Sequence, residues 1–196
     1  MTVRGLFERQ FKLQSWKTSG ESVQWRFNDK HTLLEFQATA NPKLDRFSDW
    51  LHNVNVYPRK FENYRACAGL VDLFTSSYPE VVNGYIFNPD RAPMLFTGYS
   101  HGGMLATLYF LFFGHPGDYL ITFAAPSVLW GRVPEVFAVN YVLRGDLLAE
   151  ILPTWLGFRK LGTIDYIGPE SRLCLANHEP EAYLEHLPLI ELPVNI

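Results

Sequence analysis

The run from 94 to 110, "MLFTGYSHGGMLATLYF", narrows more than any other segment what this chain can fold into. Its first residues, Met94 to Phe96, form a near-continuous apolar segment that suits a strand buried on both faces. The stretch that follows, "GGMLATLYFLFFG", has the length of a helix and ends at Gly114 with Pro116 just beyond, the signature of a helix stop. Two further strand-like segments come next, "DYLITFAAP" and "VFAVNYVLRGD". Strands separated by helical segments favour βαβ units, so the sequence predicts an α/β fold: a mostly parallel central sheet with helices on both faces. The turn after Phe96 then falls at the carboxyl end of a central strand, where open α/β sheets place their ligands.

Upstream, "SVQWRFNDKHTLLEFQAT" reads as a hairpin, with an alternating arm, the turn former Asn28-Asp29, and an apolar arm from Thr32 to Phe36. "KFENYRACAGLVDLFTSSY" carries Phe61, Tyr64, Ala68, Val71 and Phe74 at helical spacing and is predicted to be helical. No internal repeat or low-complexity tract interrupts the order, and 196 residues suit one domain, 1–196. The formal net charge is -3 and basic residues do not cluster, which argues against a nucleic-acid partner. Cys67 and Cys174 are too few and too far apart for a disulfide framework or a zinc site and are expected as reduced, buried thiols. The first residues, "MTVRGLFERQFKLQSWK", carry charges throughout, and no segment approaches a transmembrane span. A soluble, intracellular protein is the expectation.

At the join of strand and helix, Gly98-Tyr99-Ser100-His101-Gly102 fits G-x-S-x-G, the nucleophile elbow of α/β hydrolases. The need for glycine there is steric, because the serine sits on a tight strained turn and strand and helix must pack closely on either side of it. The same turn places the His101 N–H at a helix N-terminus, where it can donate to an oxyanion. A serine hydroxyl is a weak nucleophile until a histidine takes its proton, and the imidazole needs a carboxylate to hold its tautomer. In this architecture the chain order is Ser, Asp, His. Of the six histidines, His31 and His52 precede the serine, His101 belongs to the elbow and His115 to the helix stop, which leaves His178 and His186. Asp146 stands at the carboxyl end of "VFAVNYVL", with Asp165 and Asp118 as the other candidates.

Several ordered pieces resemble the class 3 lipase family, the fungal-type triacylglycerol lipases and their bacterial and phage relatives, from about residue 23 to 187. "FTGYSHGGMLATL" is similar to the family's T-G-H-S-L-G-G-A-L-A block, and "ITFAAPSV" to T-F-G-x-P-R-V. "LLEFQAT" resembles the strand ending F-[RQ]-G-[ST], and "SDWLHN" resembles D-W-x-x-N. "YVLRGDLLAEILP" resembles the segment in which an aspartate precedes apolar residues and L-P, and "NHEPEAYLEHL" the terminal H-x-x-x-x-Y block. The resemblance implies Ser100 as nucleophile, His178 as base and Asp146 as its orienting acid. It also implies an oxyanion hole from Thr39, with Gln37 and Asn41 nearby, together with the His101 N–H. Tyr99 stands where the family has histidine, His101 where it has leucine, Ala38 where it has glycine, and "CAGL" where it often has H-x-G-F.

The implied activity is hydrolysis of lipid or small carboxylic esters through an acyl-enzyme, with no metal or organic cofactor and at most transient contact with a lipid surface. Phe47, Trp50, Leu129, Trp130, Leu147 and Trp155 are candidates to line an apolar mouth. Residues 40–52 are the candidate cover over it. A catalytically silent relative that binds an apolar ligand or a partner, and an acyltransferase using the same acyl-enzyme, are the alternatives.

Overall fold

A computed structural model describes residues 1–11, 16–19, 23–28, 30, 32–38, 55–82 and 90–192. Among these residues seven strands make the main sheet: β1 (Lys17–Ser19), β2 (Val23–Phe27), β3 (Leu33–Ala38), β6 (Leu95–Tyr99), β7 (Tyr119–Phe123), β9 (Ala138–Leu143) and β11 (Thr163–Ile167), in the order β1-β2-β3-β6-β7-β9-β11. β1, β2 and β3 pair antiparallel; every later pairing is parallel. The expected Asn28 hairpin is present, with the Asn28 side chain accepting from the N–H groups of Thr32 and Leu33. β6 lies at the centre, and its run of buried positions is what the apolar sequence predicts for a strand covered on both sides.

Alternation along β6 assigns its two faces. Leu95 belongs to an apolar cluster with Leu6 and Phe7 of α1 (Val3–Gln10) and with Tyr183 of α5 (Pro180–His186). Phe96 points the other way, into a larger cluster with α2 (Ala68–Val82) and α3 (His101–Phe113). Helices therefore cover both faces of a mostly parallel sheet, the α/β hydrolase arrangement read from the sequence. α3 is buried from Gly102 to Phe110, consistent with a central helix that is apolar all round.

One expected helix is only partly so. Residues 58–67 form a hairpin, β4 (Pro58–Phe61) and β5 (Tyr64–Cys67), and α2 begins at Ala68. Phe61 and Tyr64 share a helical spacing, but they face each other across a two-residue turn in which Glu62 takes φ 51°. Over so few residues helical and hairpin spacing coincide, and pairing with a second sheet decides. That sheet runs β10 (Phe158–Arg159), β8 (Leu129–Trp130), β5, β4. Leu129 is accordingly buried in it. Cys67 is buried and its thiol pKa is pushed up to about 12 by desolvation, as expected for an inert thiol, whereas Cys174 is only half-buried; both are free. Phe47, Trp50 and the candidate cover at 40–52 lie outside the described residues.

Candidate active site

Ser100 is the pivot between β6 and α3, at φ 53°, ψ -122°, a backbone conformation L residues rarely adopt. The elbow exists because its neighbours have no side chains. A Cβ on Gly98 would lie 2.3 Å from the Gly102 carbonyl carbon, and one on Gly102 would lie 2.3 Å from the Phe36 oxygen. Glycine at both positions lets α3 start directly against β6 and β3. The first N–H groups of α3, His101's foremost, have no intrahelical partner and carry the positive end of the helix dipole.

Three side chains from distant parts of the chain meet here. Ser100 Oγ is 2.7 Å from His178 Nε2, and His178 Nδ1 is 2.9 Å from each Asp146 carboxylate oxygen. An ionised carboxylate only accepts, so the imidazole proton sits on Nδ1 and Nε2 is left to accept from the serine hydroxyl. Asp146 ends the turn after β9 and caps α4 (Leu147–Glu150), accepting from the N–H groups of Leu148 and Ala149 at 3.0 Å each. Tyr183 donates its hydroxyl to Asp146 at 2.6 Å and accepts from the Leu143 N–H. Asp146 is fully buried and, with these partners, its carboxylate is saturated. The His178 side chain is 12% exposed, which leaves the serine–imidazole pair reachable from solvent.

The loops carrying these groups are built to approach each other. Gly145, at φ +78°, would place a Cβ 2.6 Å from the Arg172 oxygen, and only glycine lets the two segments close to this distance. Cys174 N–H donates to Gly145 O, Leu147 N–H to Cys174 O, and the Asn177 amide to Arg144 O. Asp165 lies exposed on β11, and Asp118 sits at the amino end of β7, opposite to Ser100, paired with Arg91. His186 ends α5 beside Gly168 rather than joining the serine. Thr39, with Asn41, falls outside the described residues, as do His31 and His52.

At three residues of the site the side chain has a part that sequence reasoning did not assign to it. Tyr99, noted there only as a departure, donates its hydroxyl to the His178 carbonyl and meets the imidazole at a tilt, with the ring centroids 5.4 Å apart. Lys160 donates to the carbonyls of Ala125 and Ala149; burial lowers its pKa to about 7, against the opposing pull of Asp146 and Glu150. His101 has a buried Nε2 with no hydrogen-bond partner among the described residues, and desolvation lowers its pKa to about 4, so the ring is neutral. A polar residue at a buried elbow position is the signal that could have flagged the histidine. Nothing in the local sequence marks the lysine.

Fold and elbow together define an α/β hydrolase scaffold, with the serine at the carboxyl end of its central strand. No family model matches the chain, and no curated protein matches it in sequence. Solved lipases match it in fold. A Rhizomucor miehei lipase in complex with its propeptide is 16% identical at a TM-score of 0.58, over 81% of this chain and 56% of that one. The lipase of Rhizopus microsporus var. chinensis is 17% identical at 0.57, over 86% and 70%. A triacylglycerol lipase whose catalytic centre is a serine-protease triad is 16% identical at 0.57, over 79% and 66%. The chain spans between about half and seven tenths of the length of these lipases, and what it shares with them is the fold.

Proposed function

We propose that the protein is a serine ester hydrolase acting through an acyl-enzyme on lipid or small carboxylic esters. The observation that carries the reading is the unbroken chain from Ser100 Oγ through His178 to a buried, saturated Asp146. In this mechanism His178 Nε2 takes the hydroxyl proton as Ser100 attacks the ester carbonyl, and Asp146 stabilises the imidazolium that forms. The oxyanion meets the N–H of His101 at the start of α3, a contact worth about 3 to 4 kcal/mol per donor in a well-studied serine hydrolase. His178 then returns its proton to the departing alkoxide and activates water against the acyl-enzyme. None of these steps calls on a metal or organic cofactor.

Exposed apolar side chains on the segments that follow Asp146 and precede His178, Trp155, Leu156, Leu173 and Leu175, support an ester with a greasy acyl group and brief contact with a lipid surface. Among the described residues, no helix is long and apolar enough to cross a membrane.

A fluorophosphonate probe tests the reading. It should label the wild type at Ser100 and leave folded Ser100→Ala unlabelled, while Ser100→Ala, His178→Ala and the double variant lose similar amounts of kcat on p-nitrophenyl butyrate, because such groups act as a unit. A folded wild type that neither labels nor turns over would mark a silent ligand-binding relative. Transfer of the acyl group to an added alcohol in preference to water would mark an acyltransferase.

A further inference from the structure

The groups around His178 are tied unevenly. Toward the acid, its loop is held by the Cys174–Gly145, Leu147–Cys174 and Asn177–Arg144 hydrogen bonds as well as by Asp146 itself. Toward the serine, apart from the Ser100–His178 bond, the hydrogen bond that joins the elbow to this loop among the described residues is the one from the Tyr99 hydroxyl to the His178 carbonyl. That carbonyl lies at the end of a short 3₁₀ turn, Leu175–His178, where the backbone repeat stops before α5. The acid and base loops are therefore tied into one piece, and among the described residues the side chain of Tyr99, the residue preceding the nucleophile, fastens that piece to the elbow.

We propose that Tyr99 is a positioning residue for His178, setting the serine–imidazole separation through the main chain of the base rather than touching the reacting atoms; this rests on the reading of Ser100 and His178 as nucleophile and base. The Tyr99 ring is itself held from several sides. It meets Phe7 and Phe11 edge-on at 5.7 and 5.4 Å, and Tyr183 edge-on at 6.1 Å. Phe7 in turn stacks on Tyr183, whose hydroxyl holds Asp146. Phe7 of the N-terminal helix α1 thus backs both Tyr99, beneath the base, and Tyr183, beneath the acid. Such a rigid support is what holds a reacting pair within the few tenths of an ångström that catalysis requires. Burial, reinforced by the charges of Asp146, Glu179 and Glu181, pushes the phenol pKa above its ordinary value, so the hydroxyl remains a donor wherever the enzyme works. Histidine, the residue the lipase pattern has here, is shorter than tyrosine and has no phenol hydroxyl to reach that carbonyl.

Tyr99→Phe tests this in the full-length protein, because it deletes the hydroxyl and keeps the ring. On p-nitrophenyl butyrate, kcat should fall on the order of tenfold, toward the roughly 100-fold scale of a 1 Å misplacement, while KM stays nearly unchanged. The rate of fluorophosphonate labelling at Ser100 should fall with it. A hydroxyl that served stability alone would lower the melting temperature and leave kcat per folded molecule intact, and that result overturns the proposal. The far-downfield proton resonance of an imidazole donating to a carboxylate supplies a readout independent of turnover. It should be sharp in the wild type, absent in His178→Ala, and broadened in Tyr99→Phe. Should the wild type prove inactive, the functional reading falls, and an unchanged resonance in Tyr99→Phe overturns the positioning role separately.

Discussion

Tyr183→Phe isolates the support beneath the acid. The phenol hydroxyl has two buried partners: it donates to Asp146 Oδ2 at 2.6 Å and accepts from the Leu143 N–H at 3.0 Å. The ring is fully buried, so water cannot replace either bond without opening the core. A hydrogen bond to a charged group contributes about 1.5 to 3 kcal/mol, and an orphaned buried N–H costs about 1 to 3 kcal/mol. The variant should lose roughly 3 to 5 kcal/mol of stability. For a chain of this size each kcal/mol moves the midpoint by about 2 to 4 °C, so the melting temperature should drop on the order of 10 °C, which circular dichroism reads directly. Activity should fall less than in Asp146→Asn, because the carboxylate keeps the Leu148 and Ala149 N–H groups and His178. A midpoint within about 1 °C of wild type would refute the reasoning, since it would mean that neither bond is formed in the folded protein.

Asp146→Asn should itself cost on the order of 10⁴-fold in kcat, by analogy with the serine proteases, because an amide can hold the imidazole in the wrong tautomer; wild-type turnover would send the search for the acid to Asp165. His101 makes stability depend on pH. Folded, the ring stays neutral down to about pH 4, whereas in the unfolded chain it takes a proton near 6.5. Between those values the unfolded state binds more protons, so stability present above about pH 6.5 should be lost as the pH falls to about 4, by about 3 kcal/mol; denaturant titrations of His101→Leu should show that slope flattened, and an unaltered slope refutes it. Gly102→Ala should destabilise the chain by several kcal/mol and abolish probe labelling, as its methyl would meet the Phe36 carbonyl at 2.3 Å; a folded, labelled variant would contradict the elbow geometry.

What the sequence determines by itself is whatever a local pattern can encode. The strand–elbow–helix of 94–114 is legible because steric demand on Gly98 and Gly102 and the apolar content of β6 and α3 act over neighbouring residues, and the same holds for the Asn28 turn and for the strands that became β7 and β9. The choice of Ser100, Asp146 and His178 is legible through chain order and through resemblance. Tertiary structure alone decides the rest. Helical spacing at Phe61 and Tyr64 gave way to a hairpin because β5 found a partner in β8, with Ala66 paired to Leu129, 63 residues further along, a pairing no local pattern announces. The exposed edge strand β11 carries a weak pattern of its own and is defined by its pairing with β9, while the N-terminal helix, with Val3, Leu6, Phe7 and Gln10 buried at helical spacing, is placed only by the face it packs against. The role of Tyr99 is of this kind too: a tyrosine before the serine reads as a mere departure until the fold brings the carbonyl of His178, 79 residues further on, to its hydroxyl. Hydrogen bonds between residues so distant in sequence have a physical cause only in three dimensions, where burial makes each unmet donor costly enough to select one partner.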